Sequence, residues 1–430
     1  MADFVASVLT IASGFVAVPV AVFCVEVVAA VTLGRGFGGR AKQVRGAVRP
    51  RITVLIPAHN KSVGIAATLD DIKQQLQPDD QVYVVADNCT DDTASIASAH
   101  GAKVIEHQDP VKRGKGYALD FGVRHLAQDR HDVLIMVDAN CRLSKNAIYE
   151  LAMTCAATCR PVQALHLMTA PSGSSVKLRV AEFAWRVKNW LRPLGLKALA
   201  LPCQLTGTGM AFPWDVIRRI DLAGSCLVED LQLGIDLASQ GRYALFCPTA
   251  RVTSQLGASA NAVQDRGARR ERGHCKMILS SVSQLLWTAV VARDWRAIAL
   301  ALDLAVPPLS LLAIIVVAML VFSSTCALLG LSSTAFSISA GTLIAFLVAG
   351  SAAWLSVGRD LVPVGVPFLI VRYAVDKIHL YRVTLLKKAR TVWIRTEREN
   401  TPIAVDAPSV IAADAAQPAE QSRVDQTAPT

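Results

Sequence analysis

Residues 51–60 read RITVLIPAHN, and residues 81–93 read QVYVVADNCTDDT. Each is a short β-branched run that ends in polar residues, His59 and Asn60 in the first, Asp87 and Asn88 in the second. Apolar runs without alternation mark strands buried on both faces, as in a parallel sheet. The stretch after each run, 62–76 and 90–100, has helical spacing, and the second opens on Asp91 and Asp92, acids that suit a helix N-terminus. A third strand is expected at 103–106, a helix at 116–126 and a fourth strand at 133–137, ending at Asp138. Strand and helix alternate, so the fold class is α/β, a parallel sheet with helices on both faces. Such sheets bind ligands at the carboxyl ends of their strands. Three polar clusters converge there: His59–Asn60, Asp87–Asn88 and Asp138–Asn140.

Outward from this core the composition changes. The 430 residues are 52% hydrophobic and 18% charged, against about 25% charged in an average soluble domain. Residues 304–358 pass without one Asp, Glu, Lys or Arg, long enough for a hairpin of two bilayer spans at about 20 residues each. Those spans are expected at 302–322 and 341–357. Residues 4–33 are apolar apart from Glu26, are too long for a signal-peptide core and lack a basic residue on their N-terminal flank, so they read as a transmembrane helix and not a signal peptide. Arg35, Arg40, Lys42, Arg45, Arg49 and Arg51 follow with no acid among them, which places that side in the cytoplasm. The organisation read from this is a transmembrane helix at 1–33, a basic linker at 34–50, a cytoplasmic catalytic domain at 51–275 and an interfacial helix at 276–300. A transmembrane hairpin at 301–358, a basic interfacial segment at 359–398 and a disordered tail at 399–430 complete it. The net charge of +10 suits anionic lipid or an anionic substrate. The ten cysteines show no CxxC pair and read as small apolar residues of a reducing compartment, with no zinc site or disulfide frame.

Seven motifs in this order carry a specific resemblance: PAHNK from Pro57, VVADNCTDDT from Val84, KRGKGYAL from Lys112, DAN from Asp138, GTGMAF from Gly207, VEDLQLG from Val228 and RGARRERGH from Arg266. With its flanking spans the chain resembles a membrane-bound family 2 glycosyltransferase, an inverting GT-A enzyme of the kind that includes cellulose, chitin and ceramide glycosyl transferases. The resemblance implies a GT-A, Rossmann-like nucleotide-sugar domain inserted between transmembrane helices. It places the donor on Pro57, Ala58, Asn60, Asp87, Lys115, Asp138, Arg266 and Arg269. It places a divalent cation, Mg²⁺ or Mn²⁺, on Asp138 and Asn140, the acceptor against Gly207, Thr208 and Gly209, and the general base on Asp230 with Glu229 beside it. Three positions depart from the family pattern: Lys61 stands where Glu is usual, Asn140 where the second Asp of DxD is usual, and Arg270 where Trp is usual.

Each residue type fits its chemistry. Displacement at an anomeric carbon needs a base for the acceptor hydroxyl's proton. A diphosphate leaving group needs positive charge, from a metal or from Lys and Arg. The expected activity is transfer of a sugar from a nucleotide-diphosphate sugar, a UDP-sugar first, to a polysaccharide or lipid-linked acceptor at the bacterial-type inner membrane. Membrane lipids are expected partners and nucleic acid is not. Two rivals remain at this point: a glycolipid synthase acting on a simple lipid, and a non-catalytic subunit that only binds nucleotide sugars. A transporter fits less well, because Glu26 and Asp303 are nearly the only ionisable groups in the spans.

Overall fold

The computed structural model describes residues 2–34, 48–129, 131–224, 228–257, 273–275 and 277–363. The chain opens with α1 (Ala2–Thr32) and then alternates β1 (Ile52–Ala58), α2 (Ile65–Lys73), β2 (Gln81–Asp87), α3 (Thr93–Ala99), β3 (Lys103–His107), α4 (Lys115–His125) and β4 (Val133–Met136). These are the strands and helices expected from the apolar runs, displaced by a residue or a few at their ends. Next come β5 (Cys141–Leu143), α5 (Ala147–Thr158), β6 (Val162–Thr169), α6 (Val176–Arg186), a π-helical turn at Val187–Leu191, and α7 (Arg192–Ala198). The domain closes with β7 (Met210–Pro213), α8 (Trp214–Ile217), α9 (Glu229–Ser239) and β8 (Leu245–Gln255).

One eight-stranded sheet results, in the order β3-β2-β1-β4-β7-β6-β8-β5. The first four strands are parallel. The expected all-parallel sheet stops there: β7 runs antiparallel between β4 and β6, and β5 runs antiparallel to β8. The reason is local. Residues 210–213 and 141–143 are too short to carry a period, so the sequence pattern does not announce these antiparallel pairings. Alternate residues of each strand face opposite layers. Ile52, Val54 and Ile56 pack with Leu69 and Ile72 of α2 and Leu151 of α5. Leu55, Leu134 and Met136 pack on the other face with Leu119 of α4 and Leu233 of α9.

Among the described residues, four helices are long and apolar enough to cross a membrane: Asp3–Thr32, Gly273–Ala292, Leu309–Leu328 and Ser333–Val357. Between the second and third lie α10 (Ser283–Ala292), which ends the second, and α11 (Trp295–Ala305); α12 (Leu309–Leu328) and α13 (Ser333–Val357) form the hairpin. The hairpin's first helix starts later than residue 302, because Pro307 and Pro308 separate it from α11. In α1, Ser13 donates to the Ala335 carbonyl of α13 and accepts from Ser339, at 3.3 and 3.2 Å. Phe23, Val27 and Ala30 of α1 pack with Ala349, Ala353 and Val357 of α13 and with Val187 and Leu191 of the π turn. The aromatic and basic stretch around residues 180–201 is therefore a saddle under the membrane helices.

Gly273–Ala292 differs from the other three. Arg293 adopts a left-handed conformation and reverses the chain into α11, where Asp294 caps the helix by accepting from the amides of Arg296 and Ala297. The two helices run back to back, with the His274 imidazole against the Leu304 carbonyl at 2.9 Å. Ser281 donates to Gln232 of α9 at 3.0 Å, and Tyr243 donates to Asp294. Val228, Leu231 and Ile235 of α9 pack against Val282, Leu285 and Leu300. This helix is thus tied to the α/β domain at its middle and just past its end, and its outer side exposes Trp287, Val290 and Val291, with Trp295 beside them.

Candidate active site

The carboxyl ends of the parallel strands converge with the first turns of α4 and α9. Pro57 and Ala58 end β1 beside Val85 and Ala86 of β2. Asp87 ends β2, is buried, and is held on both oxygens. Its Oδ1 accepts from Asn88 Nδ2 at 2.8 Å and faces His107 Nδ1 at 2.8 Å, and its Oδ2 accepts from the Gly114 amide at 3.3 Å. Gly114 sits at φ 124, a conformation that favours glycine, and starts α4 at Lys115. Asp138 follows β4, and its amide donates to the Thr208 hydroxyl at 3.0 Å.

Lys115 is the hub. Its ammonium donates to Asp138 Oδ1 and to the Gly207 carbonyl, both at 2.5 Å. Burial works against this charge, but Asp138, Glu229 and Asp230 outweigh it, and the lysine's pKa is raised. Gly207 has φ 92, and a Cβ there would lie 3.1 Å from Asp230 Oδ2 and 3.5 Å from Lys115 Nζ. Asp230 and Lys115 therefore meet over Gly207 with no room between for a side chain. Three carboxylates around one ammonium leave two excess negative charges among the described residues. Asp138 Oδ2 has no hydrogen-bond partner among them, and the Asp138 side chain is 36% exposed. A hard divalent cation takes oxygen donors; among the described residues no three His, Cys, Asp or Glu side chains are grouped to hold one, so Asp138 is the protein oxygen donor open to an ion.

The residues expected at the site divide into those that line it and those that hold it. Asn60 clamps the neighbouring loop, accepting from the Thr90 amide at 2.8 Å and donating to its hydroxyl at 3.1 Å. Asn140 lies two residues past Asp138, where its Cβ packs beside Gly64 at the start of α2. Gly207, Thr208 and Gly209 are all buried. Thr208 supports Asp138, and a Cβ on Gly209 would press on Val252 and Ala164 at 2.7 and 2.8 Å. Arg266, Arg269 and Arg270 lie outside the described residues.

Two functional positions are not expected from the sequence. His107 ends β3 opposite Asp87, stacks near Phe121 with ring centroids 4.7 Å apart, and orients the carboxylate. Reading the strand as 103–106 stops one residue short of it; a polar residue at the carboxyl end of a parallel strand is the signal. Gln163 is buried on β6, accepts from the Thr206 amide at 2.8 Å and donates to the Thr208 carbonyl at 3.0 Å. Both ends of this amide grip the loop that carries Gly207. A lone Gln inside an apolar run announces none of this.

The fold is a GT-A-like α/β domain flanked by apolar helices. The family model described as Glycosyltransferase like family 2 matches residues 50–273, and the chain belongs to that family. It is 25% identical over 250 residues to "Probable glycosyltransferase YdaM" of Bacillus subtilis (strain 168), covering 55% of this chain and 58% of that protein. Over 97 residues it is 38% identical to "Low-salt glycan biosynthesis hexosyltransferase Agl6" of Haloferax volcanii, 22% of each chain. Over 104 residues it is 36% identical to 4,4'-diaponeurosporenoate glycosyltransferase of Staphylococcus aureus, 23% of this chain and 27% of that one. The chain thus spans a little over half the length of the first of these relatives and about a quarter of the other two. Among solved structures, the mannosyltransferase PcManGT of Pyrobaculum calidifontis, in complex with GDP-Man and Mn²⁺, aligns with TM-score 0.44 and 17% identity, covering 81% of this chain and 98% of that one.

Proposed function

We propose that the protein is a membrane-bound inverting glycosyltransferase that moves a sugar from a nucleotide-diphosphate sugar, a UDP-sugar first, to a hydroxyl of a polysaccharide or lipid-linked acceptor at the membrane surface. The observation that carries this reading is the meeting of Asp138, Lys115, Glu229 and Asp230 around Gly207 in a chain of this family.

Asp230 is the general base. It takes the acceptor hydroxyl's proton as that oxygen forms its bond to the anomeric carbon from the face opposite the diphosphate. The bond from that carbon to the diphosphate oxygen breaks, and the diphosphate leaves with the electron pair. Glu229 tunes and orients Asp230. Lys115 and the positive end of α4 receive the diphosphate, with Arg266 and Arg269 adding charge. Asp87, fixed by His107, accepts a hydrogen bond from the base, which lies against Pro57 and Ala58; Asn60 keeps the adjoining loop in place. Asp138 would hold a divalent cation, Mg²⁺ or Mn²⁺, with Asn140 as the second expected ligand, and the ion would supply positive charge against the diphosphate.

Three helices cross the membrane: α1, α12 and α13. Gly273–Ala292 lies along the domain instead, with Trp287 and Trp295 at the headgroup boundary, where amphipathic aromatic rings settle. A crossing at 273–292 would put α11 beyond the bilayer from the domain that α11 packs on. The Arg-rich flank after α1 supports a catalytic domain on the cytoplasmic face of the inner membrane.

The test is incubation of the purified full chain with a panel of nucleotide sugars and a membrane lipid extract. Nucleoside diphosphate release and the mass of any glycosylated product are followed. A product heavier by one sugar is expected. Binding of nucleotide sugars with no turnover across the panel would leave a binding subunit and overturn the reading.

A further inference from the structure

Away from the strand ends, four polar side chains meet where α1, α7 and α11 touch. Arg192, at the start of α7, donates through Nε to Glu26 Oε2 of α1 and through Nη2 to Asp303 Oδ1 of α11, both at 2.5 Å. The same nitrogen reaches the Asp303 carbonyl at 2.9 Å. Gln204 donates to Asp303 Oδ2 at 2.8 Å. Arg192, Glu26 and Asp303 are 6%, 2% and 3% exposed at their side chains. The site of transfer does not include this cluster, yet Gln204 begins the stretch that carries Thr206, Gly207 and Thr208.

Such a cluster is a poor source of stability. Buried ion pairs return little over apolar packing, and this one leaves Glu26 Oε1 and Gln204 Oε1 buried without hydrogen-bond partners among the described residues. Its geometry does serve position. It runs from a membrane helix through Arg192 and Asp303 to the loop whose next carbonyls meet Lys115. Gln163 holds the same loop from the sheet side, so the loop is gripped by the sheet and by the membrane frame.

We propose that Gln204 is a positioning residue, through which the Glu26–Arg192–Asp303 cluster sets the Gly207 loop at a fixed height against the membrane helices, so that a membrane-borne acceptor meets Asp230. This rests on the glycosyltransferase reading above.

The test uses the full chain in lipid nanodiscs. Gln204→Glu sets a carboxylate against the Asp303 carboxylate, and adding Asp303→Asn restores one amide facing one carboxylate. Gln204→Leu is the uncharged control. Deuterium exchange of a peptide spanning residues 204–210 is read beside turnover of whichever nucleotide sugar the parent uses in lipid extract. Gln204→Glu should raise exchange in that peptide and lower kcat about tenfold, the scale of one unmade buried hydrogen bond. Donor KM should stay within about twofold, and the double variant should recover most of both losses. Gln204→Leu should show the same split in milder form. Parental exchange and kcat in the Gln204 variants, or no recovery in the double variant, would overturn the proposal. If the parent turns over no nucleotide sugar, the function reading fails, and the exchange data alone decide whether Gln204 holds the loop.

Discussion

Lys115 and Arg192 are both cations set among carboxylates at 2.5 Å, and their surroundings separate them. The Lys115 and Asp138 side chains are 24% and 36% exposed, whereas Arg192 and its two partners are closed to solvent. An ammonium is a point charge on a flexible stem; a guanidinium is a planar fork that fixes two partners at once. The first cluster can exchange partners when an anionic donor and a cation arrive. The second cannot move without unpacking three helices. A cation among carboxylates can thus serve as the proposed site in one place and as a joint in the other, and accessibility separates the two.

The largest effect expected is at the open cluster. Asp230→Asn keeps the shape but cannot accept a proton, and turnover should fall by about 10²–10⁴ while donor affinity holds. Steady-state kinetics and nucleotide titration measure the two separately, and Glu229→Gln should cost less. Parental turnover in folded Asp230→Asn protein would move the base to Glu229.

At the closed cluster the corresponding break is steric. A Cβ on Gly195 would overlap the Glu26 carbonyl oxygen of α1. Gly195→Ala should cost about 1–3 kcal/mol or more, the range for overpacked cores, read as a lower thermal midpoint. Gly207→Ala would press on the Asp230 carboxylate at 3.1 Å and strain a backbone at φ 92, so activity should fall sharply, with a smaller thermal loss than in Gly195→Ala, whose Cβ meets backbone. Equal thermal losses in the two variants would erase the distinction between joint and site.

Chelation sharpens the comparison further. Removal of divalent ions should abolish transfer, and Mg²⁺ or Mn²⁺ should restore it. Asn140→Asp adds a charged oxygen donor and should tighten the metal by about tenfold or more, judged from the hard-cation preference for carboxylate. Unchanged metal affinity in Asn140→Asp would remove residue 140 from the ligand set.

The smallest effect concerns pH. The folded pKa of Lys115 is raised, so its contribution to stability is complete below the unfolded lysine value of about 10.4. It is lost only as pH climbs through the higher folded value. Urea melts of parent and Lys115→Met should therefore keep a constant difference from pH 7 to about 10 and converge above it. Convergence already below pH 9 would contradict that sign.

Much of the open half is legible in residue order. β1, β2 and β4 are continuous apolar runs, and each delivers a polar residue to the same end of the sheet. Asp87, Asp138 and Asp230 can be located by that rule and by motif spacing. The closed half is not legible. Glu26, Arg192, Gln204 and Asp303 are separated by as many as 277 positions, and no periodicity links a charge inside an apolar helix to a distant arginine. Gln163 and His107 are missed for a related reason: their partners are backbone groups or strand neighbours, set by a register that the side-chain pattern does not encode. The short antiparallel strands β5 and β7 carry too few residues to show a period.

The tethered helix at 273–292 has a consequence for parity. Counting apolar segments gives an even number, and an even count returns a chain to the side where it started. With one segment lying flat, as proposed above, the count becomes odd, and Ala2 and Val362 would stand on opposite faces of the bilayer. One left-handed residue, Arg293, and the capped turn after it would then set which side of the bilayer Val362 reaches.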